Sequence, residues 1–321
     1  MAEGSKNASR PFRTLIGEFG IAIVLVAEIL LFAFLSPYFF TAENILNISL
    51  QTSIIAIIAV GMTFVILTAG IDLSVGAVVA FTGVVTTAVL KMGAPYPVAL
   101  ACGICTGLAV GTSSGAVAGL FVTKLRITPF IVTLALMTIW RGAAYMFTDG
   151  RPVWGLPEQF AILGSGRVAG IPVPTIFMVV IYAVAHIVLK RTRFGRYVYA
   201  VGGNPEAARL SGVPTDRIIL GVYVLCGILA SFSGILLASR MNSGQPNAGQ
   251  MYELDVIAAV VVGGTSLFGG RGSVVGTFVG AMLIGVLRNG LNLMNVSSYV
   301  QMILLGVVIL AAVLLDRLRG R

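Results

Sequence analysis

Charge is what this chain most lacks. Asp, Glu, Lys and Arg make up only 10% of its 321 residues, against about 25% in soluble domains, and that excludes a water-exposed globule. Histidine occurs once, at His186, and cysteine three times, at Cys102, Cys105 and Cys226, each inside an apolar segment. The Cys102-Gly-Ile-Cys105 spacing imitates a redox or metal pair, but thiols among apolar neighbours are inert fillers, so no metal or other cofactor is expected. Lysine is confined to Lys6, Lys91, Lys124 and Lys190, which follow Ser5, Leu90, Thr123 and Leu189. A phosphate-binding loop needs glycine directly before its lysine. The chain therefore holds no such loop and is not expected to be an ATPase.

What is abundant is apolar: 57% of residues are hydrophobic and 39 are glycine. Runs of about 20 apolar residues read as membrane-spanning helices. Most of the basic residues behind the net charge of +9 gather in four places: the amino terminus (Lys6, Arg10, Arg13), 124–126, 190–217 and the tail 316–321. That is the bias of cytoplasmic loops, and it leaves no case for a nucleic-acid partner. No signal-peptide cleavage pattern follows the first apolar run, which is expected to stay as an anchor.

The spans predicted from these runs are 20–35, 54–69, 74–90, 98–122, 129–147, one from 174 to 189, 218–238, 255–267, 274–287 and 299–315. A break at Gly70-Ile71-Asp72 separates the second and third, and the glycine-rich stretch 263–272 interrupts the later ones. Lys/Arg placement favours ten crossings with both termini cytoplasmic and a polar loop, 148–174, outside. The expected organisation is an all-α, polytopic helical bundle. A cytoplasmic arm (1–19) precedes a single membrane domain (20–315), which contains a cytoplasmic loop (190–217), and a cytoplasmic tail (316–321) follows.

That loop spells a short capped helix. Asn204 suits the N-cap and Pro205 the first helical position, Glu206, Ala207, Ala208, Arg209 and Leu210 propagate, and Gly212 closes before Pro214. Lys190, Arg191, Arg193, Arg196, Arg209 and Arg217 surround it. A small folded helix on the cytoplasmic face of a membrane bundle is built to touch another protein.

Gly103, Gly107, Gly111, Gly115 and Gly119 recur every four residues in the fourth span, a spacing that lets helices approach closely in lipid. An intrachain contact is the favoured reading over a dimer seam. Gly70-Ile71-Asp72-Leu73-Ser74-Val75 weakly matches Gly269-Gly270-Arg271-Gly272-Ser273-Val274, each leading into an apolar helix. Two broken segments at corresponding places hint at a pathway made of half-helices.

Ionisable residues inside spans are costly and become functional candidates: Glu28, Arg141 and Asp72. Asp72 is placed to cap the helix that starts near Ser74; the sharper reading sets Asp72 and Ser74 beside a polar pathway. Arg288 with Asn289, Asn292 and Asn295 forms a patch with several residues on one helical face, fit for a hydroxylated solute or for interhelical hydrogen bonds. Gly111-Thr-Ser113-Ser-Gly115 matches the G-x-S-x-G nucleophile pattern, but Ser113 sits mid-span and His186 near the cytoplasmic edge, so proteolysis is disfavoured.

Four segments carry a family resemblance: GMTFVILTAGIDLSVGA (61–77), GRYVYAVGGNPEAARLSGV (195–213), YELDVIAAVVVGGTSLFGGRGSVVGT (252–277) and GLNLMNVSSYVQMI (290–303). They span nearly the whole chain and resemble, in order, the membrane subunit of bacterial ABC importers for monosaccharides, its ribose-type members above all. The resemblance implies a permease of the bacterial inner membrane, paired with a second copy. It implies ATP-binding cassette subunits gripping a coupling helix at Asn204–Arg209, Leu210 and Gly212, and an exported sugar-binding protein at the outer face. The Glu206-Ala207-Ala208-x-x-x-Gly212 stretch agrees with the start of the wider importer coupling motif, whose later Ile-x-Leu-Pro part has no match here. Rival readings are a branched-chain amino-acid permease of the same type, an ion-coupled transporter using Glu28 and Asp72, and a passive channel.

Overall fold

The computed structural model describes residues 10–319; the arm 1–9 and residues 320–321 lie outside the described residues, as do the side chains of 10–19 and 315–319. The chain is helical almost throughout. In order it forms α1 (Arg10–Leu35), α2 (Ala42–Leu67), α3 (Val75–Leu90), α4 (Tyr96–Thr123), α5 (Pro129–Thr148), α6 (Ala161–Ser165), α7 (Val173–Arg191), α8 (Arg193–Gly203), α9 (Pro205–Leu210), α10 (Thr215–Arg240), α11 (Tyr252–Val262), α12 (Val274–Leu293) and α13 (Ser298–Arg319). The two-residue strands β1 (Arg167–Val168) and β2 (Ile171–Pro172) pair antiparallel between α6 and α7.

Among the described residues six helices, α2, α4, α5, α7, α10 and α12, are long and apolar enough to cross a membrane. Shorter apolar stretches lie in α1 (Gly20–Leu35), α3, and α13 (Ser298–Leu314). The chain is a polytopic helical membrane protein. Its organising element is α2, whose apolar window is 89% buried against 22% for α5. Around it pack α10, α12, α7 and α11, while α4 and α3 lie against α10 and α5 against α3. A helix apolar on every side belongs at the centre of such a bundle, and lipid-facing helices need only one packed face.

The glycine ladder of α4 is an intrachain seam, as favoured from its spacing. A Cβ at Gly111 would overlap the Gly227 carbonyl and Ser231 of α10, and one at Gly115 would overlap the Tyr223 carbonyl. At Gly107 and Gly103 the neighbours are Thr86 and other side chains of α3 and α10. At Gly111 and Gly115 glycine is required because backbone of α10 stands at the contact.

Three expectations need correction. The second helix begins at Ala42, not near 54: Thr41 caps it, accepting from Asn44 N at 3.3 Å. The polar run Asn44, Asn47, Ser49, Gln51, Thr52 and Ser53 hid its first turns. The loop 148–174 carries a 3-10 turn (Glu158–Phe160), α6 and the β1–β2 hairpin. Asn295 is not on the face of α12, which ends at Leu293; it sits in the following turn at φ 55°.

Candidate functional site

The basic stretch folds into two helices set end to end. Thr192 caps α8 by accepting from Gly195 N at 3.2 Å, and Asn204 both ends α8 and caps α9. The Asn204 carboxamide oxygen accepts from Glu206 N (3.1 Å) and Ala207 N (3.0 Å), with Pro205 at the first helical position. Gly212, at φ 83°, closes α9 by a two-bond Schellman turn: Gly212 N–H to the Arg209 carbonyl and Val213 N–H to the Ala208 carbonyl, both 3.0 Å. Both ends of a six-residue helix are thus satisfied locally, which such a short segment needs because it cannot stabilise itself by length.

The exposed face of α9 carries Leu210 at 79% exposure, Ala207, and an Arg209–Glu206 ion pair of 2.6 Å. The Arg209 guanidinium, by hydrogen bond first and charge second, holds the Glu206 carboxyl below the usual carboxylate range. Ala208 is turned inward and buried in the main core, so the outward surface is Ala207, Leu210 and the internally paired Glu206 and Arg209. Beside it, Asp216 at the start of α10 pairs with Arg126 (3.3 Å) and Lys124 (4.0 Å), tying this loop to the α4–α5 link.

The α8 helix connects that surface to the interior. The links between α2 and α3 (68–74) and between α11 and α12 (263–273) lie side by side beneath its last turn. Gly270 N donates to the Leu67 carbonyl at 3.0 Å, bridging the two links. Gly202 of α8 sits on that bridge: a Cβ there would overlap the Leu67 carbonyl oxygen and lie 2.5 Å from Gly270 N. Tyr199 Oη, one turn earlier, donates to the Gly272 carbonyl at 2.8 Å.

The helices that enter the two links end alike. The α2 helix ends with Ala69 N–H to the Ile66 carbonyl (2.8 Å) and Gly70 N–H to the Val65 carbonyl (3.0 Å). The α11 helix ends with Gly264 N–H to the Val261 carbonyl (2.9 Å) and Thr265 N–H to the Val260 carbonyl (3.1 Å). Thr63 and Thr277 meet at 2.7 Å between the two hairpins. The weak sequence match between 70–75 and 269–274 aligns the starts of α3 and α12 and stands four residues out of register with these closures, although the two broken hairpins do adjoin.

Asp72 and Ser74 lie within the first link, both 1% exposed. Asp72 Oδ1 accepts from Ser74 N at 2.9 Å and Ser74 Oγ at 2.6 Å, so it orders the turn before α3 without capping its second or third N–H. Asn289 and Asn292 lie toward the opposite end of the bundle. Asn289 exchanges hydrogen bonds with Asn44 (2.9 and 2.8 Å), and Asn292 accepts from Gln301 at 2.8 Å. Arg288 turns elsewhere, to Asp255 at 2.5 Å. Ser113 donates to the Val110 carbonyl of its own helix (2.8 Å).

A family model described as the permease component of the branched-chain amino acid transport system matches residues 44–313. The ribose import permease protein of Escherichia coli K12 is 50% identical over 298 residues, covering 92% of each chain. The chain belongs to this permease family. The ribose import permease protein of Haemophilus influenzae is 47% identical and covers 98% of each chain; the D-allose transport system permease of E. coli K12 is 37% identical and covers 99% of this chain and 97% of its own. No solved structure matches the permease.

Sequence reasoning missed α8 as a separate helix. Its signal was present: Thr192 as a cap, then Phe194, Val198 and Val201 on one face among Arg193, Arg196 and Tyr197. For Arg141 it offered a carboxylate partner or the outer interface, not backbone acceptors. Arg141 donates to the Pro246 carbonyl (3.0 Å) and the Ala248 carbonyl (2.7 Å), anchoring the α10–α11 link. No local pattern could have shown that, because the acceptors are backbone atoms more than a hundred positions away.

Proposed function

We infer that this permease is the membrane subunit of an ATP-driven importer for a monosaccharide, ribose or a close relative, in the bacterial inner membrane. The observation that carries the reading is the stacked arrangement of α9, α8 and the two links. A rigid, doubly capped helix, exposed at one end of the bundle, rests through Gly202 and Tyr199 on both broken hairpins. A push on α9 is transmitted by packed backbone, which deforms little, to the points where α2 and α11 end.

In this proposal the bundle crosses the membrane ten times with both termini cytoplasmic, α11 and its glycine-rich link together making one crossing. It forms one domain, 20–315, with 190–217 as the coupling loop between a cytoplasmic arm and tail. Separate ATPase subunits grip α9 through Leu210 and Ala207; residues 204–210 and 212 form that lever. A second copy completes the solute route, and a sugar-binding protein delivers solute at the loops 148–172. Asp72 and Ser74 mark the inner end of the route, Asn289 and Asn292 the outer end.

Reconstitution tests it: the permease, ATPase subunits and binding protein in liposomes accumulate ribose only with ATP inside the reaction. Accumulation of leucine with no sugar uptake would instead support an amino-acid permease, the reading that the family description favours. Uptake driven by membrane potential without ATP would support ion coupling.

A further inference from the structure

We propose that a cavity at the end of the bundle opposite α9 is a solute-binding subsite for a neutral polyhydroxylated molecule, a monosaccharide. This rests on the importer reading above. The cavity, about 120 Å³, lies between the first half of α2, the end of α10, the start of α11 and the second half of α12. A single water needs only about 10–15 Å³ measured this way, so the space suits a small ring compound. Its polar lining is Gln51, Thr52, Arg240, Tyr252 and Arg288. The larger groove of about 470 Å³, beside α7 and α10, is lined by apolar side chains and Gly221 and offers nothing that would recognise a sugar.

Three features point to a ligand. Thr52 is 3% exposed, lines the cavity, and its Oγ1 has no hydrogen-bond partner among the described residues. Leaving a buried hydroxyl unmatched is costly unless something else satisfies it. Gly285 stands directly against that hydroxyl, where any Cβ would overlap it, so glycine keeps the space open. Arg240 forms no ion pair among the described residues, whereas Arg288 is neutralised by Asp255.

The lining chooses the class of ligand. An anion would use the guanidinium of Arg240 but could not use acceptors. The Thr52 and Tyr252 hydroxyls and the Gln51 amide each both donate and accept. A sugar hydroxyl does the same, so it can accept from the Arg240 guanidinium while donating to a neighbouring lining group. The match is to the hydroxyls of a neutral solute.

The test uses the reconstituted full importer carrying Thr52→Cys in a Cys102→Ser, Cys105→Ser background, the remaining Cys226 being buried. Labelling by a small, water-soluble thiol reagent is followed with ribose or with leucine. Ribose at about ten times its Kd should slow labelling about tenfold, and leucine should not. Gln51→Cys serves as the second reporter if the first variant does not assemble. Unchanged labelling of both in an importer that takes up ribose would overturn the subsite while leaving the importer reading intact. Protection by leucine, together with leucine uptake, would overturn both.

Discussion

Replacing Gly202 by alanine tests force transmission through α8 at one atom. The added Cβ would overlap the Leu67 carbonyl oxygen and stand 2.5 Å from Gly270 N and 2.9 Å from Leu67 C. All three are backbone, so no side chain can rotate away; α8 must retreat until contacts approach about 3.5 Å. Overpacking of this kind costs about 1–3 kcal/mol. Losing the Leu67–Gly270 or Tyr199–Gly272 hydrogen bond would add about 1 kcal/mol. Helix propensity offsets about 1 kcal/mol, since alanine is the better helix former. The net loss of about 1–3 kcal/mol falls on the junction between α8 and the two links, not on the membrane core. The permease should still insert and assemble, and sugar uptake per ATP hydrolysed should fall at least about fivefold, the equivalent of 1 kcal/mol. Gly203→Ala is the control, because a Cβ there meets nothing within 4 Å. Wild-type coupling in both variants, or equal loss in both, would refute the reasoning; the assay is simultaneous uptake and phosphate release in proteoliposomes.

Other consequences follow from the same geometry. Gly212→Pro should uncouple transport from ATP hydrolysis without blocking insertion, since φ 83° is closed to proline and the N–H to Arg209 is lost, together about 3 kcal/mol; sugar-stimulated ATPase activity is the readout. The double exchange Glu206→Arg with Arg209→Glu keeps an internal pair but sets each charge against the helix dipole; co-purification with the ATPase subunit should weaken while permease yield holds, and unchanged co-purification would show that docking ignores the charge order. Gly111→Leu should abolish assembled protein, because backbone of α10 occupies the space, whereas Gly142→Leu, with nothing within 4 Å, should be tolerated; detergent size-exclusion yield separates them. Arg141→Met should free the α10–α11 link at a cost of about 1.5–3 kcal/mol, measured as faster proteolysis within 242–251.

Much of this architecture was legible in the residues because lipid imposes strong rules. Apolar runs and Lys/Arg clusters placed nearly every helix, and α9 was readable to the residue because Asn204, Pro205 and Gly212 act on neighbouring backbone. The α4 ladder was readable as close packing, but its partner, α10, was not. What stayed hidden depended on distant pairing. The Leu67–Gly270 bridge, the Asn44–Asn289 pair and the Arg288–Asp255 pair join segments far apart in sequence. Their partners are set by the fold, so local spacing carries no trace of them. The early turns of α2 were missed for a different reason: Asn44, Gln51 and Thr52 look like loop residues, yet they are polar because they face Asn289 or a polar cavity.

The most direct test of the central claim is to measure ribose accumulation by the permease reconstituted with and without its ATPase subunits, at fixed inner and outer ion composition. The account predicts concentrative uptake only when the ATPase subunits and ATP are both present. Accumulation against a gradient by the permease alone, with no nucleotide-hydrolysing partner, would contradict it.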